Sequence, residues 1–74
     1  MNQEIFIDRL FALRIKLDIS RIQLAEKIGV SKQAMGQFES GKMLPSIHTL
    51  VKLADFFDVS LDYLVGRSDD PIRH

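Results

Sequence analysis

The polar side chains between Ser31 and Ser40 have types and spacings that favour one defined chemistry. If this segment is a helix that turns about 100° per residue, its polar side chains share one face and its apolar side chains the other. The polar face carries Lys32, Gln33, Gly36, Gln37 and Ser40. A side-chain amide can bond adenine through two hydrogen bonds, and an amine can reach guanine acceptors. We interpret Lys32, Gln33 and Gln37 as base-reading candidates in a DNA major groove; the alternative for both glutamines is a plain solvated surface.

A glycine, Gly36, lies inside this predicted helix. There it costs ~0.5–1 kcal/mol relative to alanine. Its position near the middle of the polar face suggests a place where DNA approaches the backbone closely. The alternative is a tolerated glycine in a helix that Met35 and Phe38 hold in place.

The elements that must position this face are also helical, because apolar residues recur at helical spacing almost throughout. Phe6, Leu10, Leu13 and Leu17 form one face of a first helix that should end near Asp18. Serines that fit N-caps precede each later helix, and Ser20 with Gln23 fits a capping box. The later helices are predicted at about Arg21 to Ile28, Lys32 to Ser40, Ile47 to Phe57 and Leu61 to Val65. The fourth of the five helices carries a predicted buried stripe of Leu50, Leu53, Ala54 and Phe57. The predicted fold class is all-α, a compact bundle of five helices.

The second and third helices fit a tight helix-turn-helix over Arg21 to Ser40. Gly29 supplies a residue that can take a positive φ in the turn. Ala25 is small enough for the two helices to cross closely. The apolar residues spaced to lock the unit are Leu24, Ile28, Val30, Met35 and Phe38.

These motifs resemble the phage-repressor (Cro/repressor-type, lambda-repressor-like) helix-turn-helix family. Its members typically carry Leu-Ala, Gly-Val-Ser, a Glu-Asn-Gly-like helix end, Pro-Ser and Val-Ser-Leu-Asp-x-Leu. This chain has Leu-Ala, Gly-Val-Ser, Glu-Ser-Gly, Pro-Ser and Val-Ser-Leu-Asp-Tyr-Leu in the same order, and the match runs from about Leu10 to Val65. The resemblance implies a double-stranded DNA-binding domain, usually a homodimer on a palindromic operator, that acts as a transcriptional regulator, most like a repressor.

The resemblance also implies phosphate contacts at Arg21, Ser40 and Lys42. Arg21 stands where relatives often have a phosphate-binding glutamine, at a helix N-terminus that favours an anion. Ser40 replaces a common asparagine, and Lys42 follows the third helix in the loop that runs beside the DNA backbone in relatives. Contacts of this kind make binding depend on salt concentration.

One ion pair is expected from the resemblance, between Arg14 on the first helix and Glu39 on the third. We interpret it as a structural tie between the two helices. The competing interpretation is that Arg14 contacts a phosphate.

Apolar residues near the C-terminus are candidates for a dimer interface, since one domain offers few base contacts. A two-fold dimer would place the third helices about 34 Å apart. The candidates are Phe56, Leu61, Tyr63, Leu64 and Val65. The alternative for each of them is that it closes the small core.

Charge is polarised along the chain although its net value is zero. Arg9 to Lys42 contain seven basic and three acidic residues, a net charge of +4, and residues 43–74 carry a net charge of −2. The basic segment fits a DNA-binding surface, and the alternative is an ordinary solvated surface. The zero total, with Gly36, leaves an alternative: a protein-interaction module that kept the fold without binding specific DNA.

Composition argues against the other function classes. The chain has no cysteine and two separated histidines, His48 and His74, so no metal or cofactor site is predicted. No arrangement typical of a catalytic site is present, no small-molecule ligand is inferred, and we expect no enzyme. No apolar run approaches a membrane span. We expect a cytoplasmic protein with one domain, residues 1–66, and a polar, frayed tail, residues 67–74.

Overall fold

Each of the five predicted helices is present. The computed structural model of the protein describes residues 1–73, and within them it contains helices and no strand. The helices are α1 Gln3–Lys16, α2 Arg21–Ile28, α3 Lys32–Ser40, α4 Ile47–Phe57 and α5 Leu61–Leu64. The predicted all-α fold class is confirmed, and α2, α3 and α4 have the predicted bounds.

Side-chain caps explain where the helices begin. The serine that precedes each of α2 to α5 accepts a hydrogen bond from the backbone N–H three residues later. At Ser20 the capping box is complete, since Gln23 Oε1 also accepts from the Ser20 N–H at 2.8 Å. Such a cap contributes about 1 kcal/mol. The start of α1 is capped by Asn2, a cap that was not predicted from the sequence.

Left-handed residues explain where several helices end. Gly29, between α2 and α3, has φ +83°, a backbone conformation that glycine adopts without steric cost. Asp18 and Asp58 take φ 55° after α1 and α4. Asp18 was the predicted end of α1, whereas Asp58 was not predicted to end α4.

The core is one cluster to which all five helices contribute. Its largest fully buried side chains are Phe6, Leu10, Leu24, Met35, Leu53 and Leu64. Two residues predicted to be buried lie at its edge: Leu13 and Phe57 are only partly buried. Leu17, the last residue of the predicted apolar face of the first helix, is 49% exposed. The reason is that α1 ends at Lys16, so Leu17 is the C-cap beyond the last packed turn.

The C-terminal tail is docked against the helices. Arg9 of α1 donates to the carbonyl of Ser68 at 2.7 Å and pairs with Asp69 at 2.8 Å. The Ser60 N–H donates to the carbonyl of Pro71 at 3.0 Å. The prediction that residues 67–74 form a frayed tail is therefore wrong for residues 67–73. His74 lies outside the described residues. The domain boundary at residue 66 stays a prediction.

None of the helices within residues 1–73 has the length and apolar character required to span a bilayer.

Candidate nucleic-acid interface

Backbone hydrogen bonds and apolar packing fix α3 relative to α2. The N–H groups of Gly29 and Val30 donate to the carbonyl of Ala25 at 2.8 and 3.0 Å, which closes the turn tightly. Ala25 is itself 2% exposed, as expected for a small residue where the helices cross. The residues predicted to lock the unit are buried, except Val30, which is partly buried against the core. The orientation of α3 is therefore set by the core.

The outward face of α3 presents three long polar side chains. Lys32, Gln33 and Gln37 are exposed. Within residues 1–73, none of the three side chains takes part in a hydrogen bond or an ion pair. The N-terminus of this helix is capped by Ser31, whose Oγ accepts from the Ala34 N–H at 3.0 Å. The three predicted base-reading residues thus lie on one rigid helix with their donors and acceptors facing solvent.

Ser40 and Lys42 are exposed at the other end of α3. Ser40 donates from its hydroxyl to the Gln37 carbonyl at 3.3 Å, so in this structure its hydroxyl turns back onto the helix. The Lys42 N–H donates to the same carbonyl at 3.0 Å. Both side chains are open to solvent.

The turn after α3 is tied to the start of α1. The side-chain amide of Gln3 donates to the carbonyl of Gly41 at 2.8 Å. Gly41 has φ +81°, and a Cβ there would lie 3.0 Å from Ile7 Cδ1. The left-handed backbone favours glycine at this position, and an added Cβ would also press against the side chain of Ile7 on α1.

Two arginines share the carboxylate of Glu39, whose side chain is 7% exposed. Arg14 Nε lies 3.0 Å from Glu39 Oε1, and its guanidinium also donates to the carbonyl of Ile19 at 3.0 Å. Arg21 Nε lies 3.7 Å from Oε2, an ion pair but not a hydrogen bond. Glu39 Oε2 accepts no hydrogen bond within the described part of the chain. The Arg14 side chain is 12% exposed and that of Arg21 58% exposed, so the two ion pairs differ in burial.

Gly36 lies beneath the side chain of Arg21. A Cβ built on Gly36 would have Arg21 Nη1 as its nearest neighbour, at 3.7 Å. The guanidinium of Arg21 therefore extends from α2 across α3, between Glu39 and Gly36. The sequence predicts a phosphate contact for Arg21 and leaves two interpretations for Gly36, close approach of DNA or a tolerated glycine, and it predicts no contact between the two residues. The signal available in the sequence was a long cationic side chain on α2, Arg21, together with a position without a side chain on α3, Gly36.

We expect Gly36→Ala to raise the free energy of unfolding by ~0.5–1 kcal/mol, because alanine favours a helix interior. The contact at 3.7 Å is ordinary van der Waals contact, so the added methyl group fits. Thermal unfolding followed by circular dichroism measures the change. A decrease in the free energy of unfolding would show that the methyl group does not fit beneath Arg21. DNA affinity adds a second readout: it should fall if DNA approaches the backbone closely and stay unchanged if the glycine is merely tolerated.

The dimer candidates divide into two groups. Leu64 is 0% exposed and Val65 is 7% exposed. This burial within one chain corrects their predicted place at an interface, because they close the core instead. Leu61 is 37% exposed, while Phe56 and Tyr63 are partly buried. These three residues remain candidates.

No group of three or more metal-ligating side chains is found among residues 1–73. His48 is exposed in the first turn of α4.

Comparison with known proteins assigns this arrangement to a family. A family model described as helix-turn-helix matches residues 10–64. The uncharacterized HTH-type transcriptional regulator YobD of Bacillus subtilis (strain 168) is 42% identical over 66 residues, which cover 89% of this chain and 59% of YobD. The cryptic phage CTXphi transcriptional repressor RstR of Vibrio cholerae is 38% identical over 60 residues, covering 81% of this chain and 54% of RstR. The chain thus spans little more than half the length of these curated relatives.

A solved structure agrees with this assignment. The P22 c2 repressor, in complex with a synthetic operator, is 31% identical with a TM-score of 0.80, and the match covers 86% of this chain and 97% of that one. These relatives are regulators of transcription, with which the expectation of no enzyme agrees. The family match over residues 10–64 and the fold shared with the P22 c2 repressor confirm the resemblance: the chain belongs to the helix-turn-helix family, in its phage-repressor form.

Proposed function

We propose that this chain binds double-stranded DNA with sequence specificity and regulates transcription, with the N-terminal part of α3 in the major groove. One observation carries the proposal. Lys32, Gln33 and Gln37 lie exposed on one face of a helix that the core holds in place, and no partner within residues 1–73 occupies their side chains. These side chains match the donor and acceptor patterns of adenine and guanine edges.

Phosphate contacts complete the proposed interface at the edges of the groove. We assign Ser40 and Lys42 to phosphates, and Arg21 to the same DNA surface. The Ser40 hydroxyl, now on a helix carbonyl at 3.3 Å, can turn to donate to a phosphate oxygen instead. Such contacts orient the protein on the duplex and carry no sequence information themselves.

A homodimer on a palindromic operator is the proposed assembly. A single α3 reads few base pairs, and two copies about 34 Å apart would read successive major grooves on one side of the duplex. Leu61, with the partly buried Phe56 and Tyr63, supplies exposed apolar surface for the interface. Bound across a promoter in the bacterial cytoplasm, such a dimer would act as a repressor by excluding the polymerase.

The proposal is tested by selecting duplexes from a random pool with the purified protein. We expect enrichment of one sequence with two-fold symmetry and half-sites about one helical turn apart. That result gives the operator and its spacing together. If no duplex is enriched at low or physiological salt, the proposal is wrong, and the fold serves to bind a protein.

We expect Lys42→Ala to weaken binding to every duplex to the same degree and to flatten its salt dependence. Each lost phosphate contact should reduce the slope of log K against log salt by about 0.9, so a dimer should lose about 2. Fluorescence anisotropy over a salt series measures the slope. Lys16→Ala removes the same charge from the exposed end of α1 and should leave the slope unchanged. A wild-type slope for Lys42→Ala would remove Lys42 from the interface.

A further inference from the structure

We propose that Arg21 is a specificity-determining residue that reads a guanine, and that Gly36 and Glu39 position it for this contact. The inference rests on the proposed function, since it concerns the same interface. It departs from the sequence-based expectation that Arg21, as the first residue of α2, binds a phosphate.

The path of the Arg21 side chain carries the argument. Arg21 starts on α2, but its Nε lies 3.7 Å from Glu39 Oε2, and its Nη1 lies over Gly36 on α3. Gly36 is one turn before Ser40 and one turn after Lys32, on the face that carries the base-reading candidates. The guanidinium of Arg21 therefore lies on the outward face of α3, which carries the base-reading candidates. It occupies the one position on that face that has no side chain of its own, Gly36.

The hydrogen-bonding state of the guanidinium favours a base over a phosphate. Its Nε faces the Glu39 carboxylate, while its two terminal amino groups make no hydrogen bond within residues 1–73. Two parallel donors held in this way match O6 and N7 of guanine, the commonest specific contact that arginine makes. The Arg21 side chain is 58% exposed, so more than half of it is open to solvent.

Glu39 can orient Arg21 because it is already fixed. Its side chain is 7% exposed and is held by Arg14 at 3.0 Å. The second oxygen accepts no hydrogen bond within the described residues, and at 3.7 Å it attracts Arg21 without engaging its donors. Restricting a flexible side chain before binding reduces the entropy lost when the complex forms.

Gly36 supplies the space, and this gives a pair of size-graded variants. A methyl group fits beneath the guanidinium, because the contact at Cβ is 3.7 Å. A longer side chain would occupy the position of the guanidinium itself. Gly36→Ala should therefore leave the guanidinium of Arg21 where it is, and Gly36→Met should displace the guanidinium. Alanine and methionine both favour a helix, so the two variants differ in side-chain size rather than in helix preference.

The test compares affinities for the selected operator and for versions changed at single base pairs, with wild type, Arg21→Met, Gly36→Ala and Gly36→Met. We expect one guanine per half-site whose replacement weakens wild type about 5- to 150-fold, the range of a bidentate contact. Arg21→Met should lose this preference and keep those at other positions, and Gly36→Met should lose the same preference. Gly36→Ala should keep it, whatever its overall affinity. Combining Arg21→Met with Gly36→Met should abolish no further preference.

Two results would overturn the inference without touching the proposed function. One is that Arg21→Met weakens binding to every sequence equally and flattens the salt slope by about 0.9 per contact, as a phosphate contact requires. The other is that Gly36→Met keeps the guanine preference. Failure of wild type to select any operator would instead refute the proposed function. Thermal unfolding of each variant confirms that it is folded before binding is compared.

Discussion

Arg14→Ala is expected to lower the free energy of unfolding by about 3–5 kcal/mol, because it leaves the carboxylate of Glu39 buried without its hydrogen-bonding partner. The Arg14 side chain is 12% exposed and makes bonds to both Glu39 and the carbonyl of Ile19. Its guanidinium also lies 5.3 Å from the Phe11 ring centre, so packing is lost as well. A loss of this size is a large part of the stability of so small a domain. Urea unfolding followed by circular dichroism measures it.

Arg21→Ala is the matched control, because it removes an arginine from the same carboxylate. This side chain is 58% exposed and 3.7 Å away, so we expect a loss of at most about 1 kcal/mol. The contrast separates burial from charge, since both variants remove one positive charge. If Arg14→Ala is as stable as wild type while its DNA affinity falls, the structural interpretation is wrong and Arg14 belongs with the phosphate contacts.

Gln33→Ala combined with Gln37→Ala is expected to remove the preference for the base pairs of the selected operator that these two glutamines read. Each bidentate contact to a base contributes ~1–3 kcal/mol of discrimination, and a dimer loses the pair twice. Affinity for the operator should therefore fall much closer to affinity for a scrambled duplex, and the remaining preference should come from Lys32 and Arg21. Both glutamines are exposed, so the free energy of unfolding should stay within about 0.5 kcal/mol of wild type. Competition between the two duplexes at one fixed salt concentration measures the preference.

The same competition distinguishes the two interpretations of the glutamines. As plain solvated surface, they would leave the preference intact in the double variant. Lys16→Ala, at the C-terminal end of α1, is the control for a surface change outside the interface and should retain the preference. A double variant that weakens both duplexes equally would place the glutamines on the DNA backbone rather than on bases.

The parts of the fold predicted from the sequence depend on short-range interactions. A cap such as Ser31 binds a backbone N–H three residues away, so its signal is contained in a few neighbouring letters. The same holds for Gly29, which permits one backbone conformation at one turn. The helical face of Lys32, Gln33 and Gln37 follows from periodicity alone, and its exposure agrees with that reading.

The parts that the sequence did not predict depend on partners far along the chain. Docking of the tail needs Arg9, whose guanidinium contacts Ser68 across most of the sequence. The side chain of Arg21 has two partners on another helix, and no local pattern specifies which direction a long flexible side chain takes.

The bond from Gln3 to Gly41 has a consequence for the energetics of recognition. It holds the loop that carries Lys42 before any DNA is present, together with the bond from the Lys42 N–H to Gln37. Binding then need not freeze that loop, so less conformational entropy opposes the complex. In the proposed binding mode, substitutions in the first turn of α1 therefore offer evolution a way to adjust operator affinity, and residence time with it, while Lys32, Gln33 and Gln37 stay the same.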